Sequence, residues 1–109
     1  MDRPPVPPAT ALRYDAIAAG LAERAGVKAS SMFGMPTLKL DGKAVAGIYG
    51  EAMVFKLSRE AVEEALRLDG AHLFDPSGMG RPMKAWVVVP PAHAAEWERL
   101  ALRALSDIE

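Results

Sequence analysis

Apolar residues recur at helical spacing at Tyr14, Ile17, Ala18, Leu21 and Ala25, with Gly26 just beyond as a stop. The pattern predicts a first helix that starts at Thr10 as N-cap. Gly20 inside it weakens the isolated helix by up to about 1 kcal/mol relative to alanine, so the helix depends on docking. The texture then changes to SSMFGMPTLKLDGKAVAGIYGEAMVFKLS, short runs of β-formers cut by Gly34, Pro36, Asp41-Gly42 and Gly50-Glu51. Asp-Gly suits a type I′ turn and Gly-Glu a type II′ turn, so Thr37 to Leu57 reads as a three-stranded antiparallel meander. Ser30-Ser31 reads as the opening of a strand.

Ser58 is placed to cap a second helix through Val62, Ala65 and Leu66. Glu60 lies near its positive end, Glu63 and Arg67 form an i,i+4 pair, and Gly70 terminates it. A short strand at His72 to Phe74 leads through a loop to Met83 to Val89, a β-branched buried strand ended by Pro90-Pro91. The last helix, from about Ala92, sets Trp97, Leu100, Ala101, Ala104 and Ile108 on one face. The order is α-βββ-α-ββ-α, which predicts an α+β fold with a mainly antiparallel sheet of about five strands and helices on one face. Four prolines among Arg3 to Pro8 make residues 1–9 a Pro-rich tail and leave 10–109 as a single domain.

Two-residue turns also predict register. Leu40 faces Lys43, Leu38 faces Val45, Tyr49 faces Ala52 and Gly47 faces Val54. Ala44, Ala46, Ile48, Met53, Phe55 and Leu57 then lie under the helices. The other face carries Leu38, Leu40, Val45, Tyr49 and Val54 with Lys43 and Lys56, too apolar for comfortable exposure. That face is the expected surface of a homodimer, closed two-fold pairs being the commonest oligomers.

Composition narrows the function classes. With 13 basic and 14 acidic residues the net charge is -1, so no direct nucleic-acid contact is expected, and helix two carries Glu60, Glu63 and Glu64. The absence of cysteine removes disulfides, thiolate metal sites and cysteine nucleophiles. MDRPPVPPAT has no apolar run of the signal-peptide kind and no stretch is long enough to span a membrane. A cytoplasmic protein is expected.

Candidate chemistry is sparse. His72 and His93 lack the companions of a metal site, Glu60, Glu63 and Glu64 sit on a helix that needs a solvated face, and no serine lies in a nucleophile elbow. Catalytic residues, cofactors and metals are therefore not expected. Methionines 32, 35, 53, 79 and 83, with Phe33, read as core filling around the meander. Trp86 and Trp97 take inward positions on a strand and a helix. In FDPSGMGRPMKAW, Gly78 and Gly80 admit positive φ, and their amides beside Arg81 and Lys84 form a candidate nest for an anion or small ligand. Yet GMGRPM matches neither GxGxxG nor GxxxxGK[ST], and the loop precedes a strand rather than a helix. Asp75-Pro76-Ser77-Gly78 is itself a β-turn sequence.

SMFG at 31–34, LDGK at 40–43, the meander ending VFKLS and GRPM at 80–83 before a strand come in an order that resembles the amino-terminal domain of the TfoX/Sxy competence-regulator family. The resemblance runs from about residue 12 to 107 and takes the chain as a stand-alone domain. It implies a two-layer α/β sandwich of the secretion-chaperone-like kind. It also implies a non-enzymatic regulatory or protein-interaction role linked to competence or transcription, with no catalytic residues to carry over. The alternative is a small-molecule or anion-binding domain using the 76–84 loop.

Overall fold

Helix α1 spans Pro8–Ala25 in the computed structural model, which describes residues 5–32, 34–75, 78, 80 and 82–108. Its N-cap residue, Pro7, has no side-chain acceptor, and Pro8 follows in the first turn, where a missing N–H costs nothing. Thr10 is therefore not the cap. It is buried, and its hydroxyl donates to the Glu51 carbonyl at 3.0 Å, pinning the helix start to a hairpin turn. Gly26 ends α1 in the left-handed region, its N–H donating to Ala22.

Strands β1 (Lys28–Met32), β2 (Met35–Leu40), β3 (Lys43–Tyr49) and β4 (Ala52–Lys56) follow as one antiparallel meander. Helix α2 (Arg59–Ala65), β5 (His72–Phe74), β6 (Met83–Val89), a 3-10 turn at Pro91–Glu96 and α3 (Trp97–Ile108) complete the order. The sheet has six strands, β1-β2-β3-β4-β6-β5, with antiparallel pairing throughout, and the whole is an α+β sandwich of sheet and helices. The sheet has one strand more than the five or so expected, and β1 includes Ser30-Ser31, which read as the opening of a strand. Its sequence KASSM is exposed along most of its length, so no apolar alternation announces it; its ladder to β2 makes it a strand. At the chain's other end, the 3-10 turn is kinked within itself at His93, and α3 begins at Trp97 rather than near Ala92.

Both tight turns behave as their residues require. Asp41 and Gly42 have φ of 50° and 79°, and Gly50 has 62°. One register departs from expectation. Leu38 faces Ala46 and Lys39 faces Ala44, so Val45 is the extra residue of a β-bulge. The bulge turns Val45 to the helix side.

Helix-side packing joins Leu38, Val45, Ala46, Ile48, Met53, Phe55, Val87 and Val89 to Tyr14, Ile17 and Leu21 of α1, Ala61 and Val62 of α2, and Trp97, Leu100 and Ala101 of α3. Trp97 is fully buried, and its ring N–H donates to the Val89 carbonyl at 3.1 Å. Ser58 caps α2 by accepting from the Ala61 N–H, while its own N–H donates to the Asp107 carboxylate of α3 at 2.9 Å. Because α2 stops at Ala65, Arg67 lies beyond it and Glu63 pairs with Arg59 instead, at 3.9 Å.

The opposite face closes on itself. Met35, Ala44, Ala52, Val54, Phe74, Trp86 and Val88 form a second buried cluster, with Met32, Tyr49 and Met83 packed against it. The Tyr49 and Phe74 rings meet edge-on at 5.2 Å across the two strands between them. Gly47 lies beneath Met35; a Cβ there would come within 3.1 Å of the Met35 methyl and 3.0 Å of the Pro36 carbonyl.

Candidate functional site

The glycine loop makes a nest whose anion comes from the chain itself. Gly78 and Gly80 have φ of 68° and 76°, the geometry that turns successive amides to one side. The Asp75 carboxylate takes both: Gly78 N–H donates to Oδ1 at 3.1 Å and Gly80 N–H to Oδ2 at 2.9 Å. Gly78 also closes a turn on the Asp75 carbonyl at 3.2 Å. An external phosphate would have to displace a carboxylate that shares its backbone, so the geometry is that of a self-capped turn. Lys84 is exposed on β6, while Arg81 lies outside the described residues. Pro76, Ser77 and Met79 lie outside them as well, as does Phe33.

The expected dimer face is not assembled. Leu38 and Val45 are 1% and 0% exposed within the helix-side core, and Leu40 packs against the same cluster. The reason is the bulge. With Val45 as the extra residue, Val45 and Ala46 both face the helices, and Ala44 moves to the other side. Tyr49 and Val54 do lie on the face away from the helices, but Val54 is 0% exposed and covered by neighbours within one chain.

Other titratable groups serve local structure. His93 Nε2 lies 2.8 Å from the Asp69 carbonyl and His72 Nδ1 3.1 Å from the Gly70 carbonyl, so each ring donates to the turn that follows α2. Glu64 pairs with Arg103 across α2 and α3 at 3.4 Å. Burial, with a smaller contribution from neighbouring Asp15, pushes the Tyr14 hydroxyl up to about 12. Among the described residues no group of three His, Asp or Glu could hold a metal, and no helix is long and apolar enough to cross a membrane.

A groove of 630 Å³ runs between α2 and the β5–β6 pair. Leu57, Val62, Leu66, Leu73 and Ala85 give it an apolar floor, and Arg59, Glu63 and Lys84 stand at its rim. Three local causes shape it. Leu57 N–H donates to the Ala85 carbonyl at 2.9 Å and closes one end. The stop of α2 at Ala65 leaves Leu66 past the buried helix face, 37% exposed. Leu73, in the three-residue β5, is only partly buried. The Arg59–Glu63 pair spans 3.9 Å with side chains 95% and 66% exposed, so either charge is available to a ligand at small cost. The pattern that places Val62 and Leu66 on one buried helical face carries the helix to Gly70, but α2 ends at Ala65 with Leu66 as its cap, so Val62 is buried and Leu66 is not.

Comparison with protein-family models, with curated proteins and with solved structures finds no match for this chain.

Proposed function

We propose that this domain is a non-enzymatic regulatory module of the cytoplasm that binds a protein segment in the groove between α2 and β5–β6. The observation that carries the reading is the groove's build: an apolar floor that includes the half-exposed Leu66, with loosely held charges at its rim. Such a surface suits a short segment that inserts apolar side chains and sets an acidic residue against Arg59 and Lys84. The resemblance of SMFG, LDGK and GRPM to the TfoX/Sxy amino-terminal domain is the ground for giving this chain a role in competence or transcription regulation exerted through protein contacts. A balanced charge supports action through proteins rather than through nucleic acid.

The test is capture from the protein's own cells with parent and Leu66→Arg baits, followed by calorimetry on a synthetic peptide from the captured protein. Leu66 is exposed enough for the substitution to leave folding intact, which circular dichroism checks. The proposal expects binding to the parent and at least about a tenfold loss in the variant, since one hot-spot side chain commonly contributes more than that. Equal binding to both overturns it.

A further inference from the structure

The two edges of the sheet differ in how they end. At one edge, β5 has three residues and a register shift between Leu73 and Phe74, and both features discourage another strand from adding. At the other edge, β1 pairs with β2 over Lys28↔Lys39, Ala29↔Leu38, Ser30↔Thr37, Ser31↔Pro36 and Met32↔Met35 with no shift. It has no proline and no bulge, and its one charge sits at its end. α1 approaches this strand without covering it. Ala29, opposite Leu38 and hence on the helix side, is exposed.

Which backbone groups of β1 point outward follows from two hairpins that agree. Met32 and Met35 flank a two-residue connection, and such a flanking pair is hydrogen-bonded, so residues 28, 30 and 32 face β2. Leu40 and Lys43 flank the Asp41-Gly42 turn, so the even residues of β2 bond to β3 and its odd residues, 35, 37 and 39, bond to β1. Both hairpins leave the N–H and C=O of Ala29 and Ser31 directed away from the sheet.

We propose that β1 pairs antiparallel with β1 of a second copy of this chain about a two-fold axis at Ser30, extending the sheet across two molecules. In this register Ala29 and Ser31 of one copy exchange hydrogen bonds with Ser31 and Ala29 of the other. Ser30 meets Ser30 of the second copy at the axis, and Lys28 meets Met32. The strand suits itself as a partner: its centre is small side chains that fit face to face, and the two lysines fall at opposite ends. A five-residue edge gives a small interface, so self-association with a Kd of about 10 µM to 1 mM is expected. The groove between α2 and β5–β6 remains free in such a pair, because it lies at the other edge of the sheet.

The test is sedimentation equilibrium of the full chain up to about 1 mM, with Ser30→Lys and Ser30→Asp variants and their equimolar mixture. Ser30 is exposed, so both variants keep the fold, which thermal melts verify. The parent is expected to dimerise with concentration. Each variant alone should weaken association at least about tenfold through like charges at the axis, and the mixture should regain it. Amide exchange provides an independent reading: Ala29 and Ser31 should gain protection as concentration rises, while Ser30, already bonded within the hairpin, should not. A parent that stays monomeric overturns the proposal and leaves the edge to a foreign strand. Variants that dimerise like the parent, or a mixture that fails to recover, overturn the two-fold register.

Discussion

Replacing Val45 by alanine tests its burial in the helix-side core, where the bulge of β3 places it. In a regular hairpin Val45 would face away from the helices; in the bulged one it is fully buried against Leu38 and the helix-side core. Truncation removes two buried carbon groups, about 1.6 kcal/mol at 0.8 each. An unrelaxed cavity of about 40 Å³ adds about 1 kcal/mol at 24 cal/mol per Å³. The expected loss of about 2.5 kcal/mol lowers the midpoint of a chain of 109 residues by about 10 °C. Urea melts should show the denaturant midpoint falling with the slope m unchanged, since the surface exposed on unfolding hardly alters. Leu12→Ala is the control: Leu12 is 71% exposed, and its loss should fall within about 0.5 kcal/mol. A Val45→Ala change as small as the control would refute the burial of Val45 in the helix-side core. Val45→Glu should fail to fold rather than yield a soluble monomer, because it buries an unpaired charge.

Trp97→Phe should cost about 1 to 3 kcal/mol by leaving the buried Val89 carbonyl without its donor, measured by chemical denaturation; no change would argue that water replaces the indole. Asp75→Ala should lower stability by about 1 kcal/mol or more through loss of two charge-assisted bonds to Gly78 and Gly80, read as a fall in thermal midpoint; an unchanged midpoint would mean the carboxylate does not hold the turn. Tyr14 titrates at about 12 when folded against 10.0 when unfolded, so its contribution is full below pH 10 and is lost as pH rises toward 12, because the unfolded chain releases the proton first. Denaturation series across that range, with Tyr14→Phe as reference, should show this loss only in the parent. No specific duplex-DNA binding is expected in about 150 mM salt, and a mobility shift at nanomolar protein would contradict the charge argument.

Local chemistry sufficed for much of the fold. Asp41-Gly42 and Gly50-Glu51 announce their turns because positive φ is cheap there, and Met83–Val89 and the Trp97 face announce themselves by runs and spacing that few other conformations accommodate. Three features lay outside that reach. The full extent of KASSM as a strand comes through β2, since Ser30-Ser31 announced only a strand opening and the segment carries no apolar alternation. Val45 changes face because one extra residue is absorbed within the ladder, which reverses the alternation beyond it without altering composition. The groove exists because α2 stops one residue before Leu66 while β6 and the short β5 pass beneath it. The glycine loop adds a fourth: its residues suit an anion nest, and Asp75, close in sequence, fills it. Turns and amphipathic faces depend on residues a few positions apart. Registers, edges and grooves depend on which distant backbone lies alongside, and that pairing is settled when the sheet assembles.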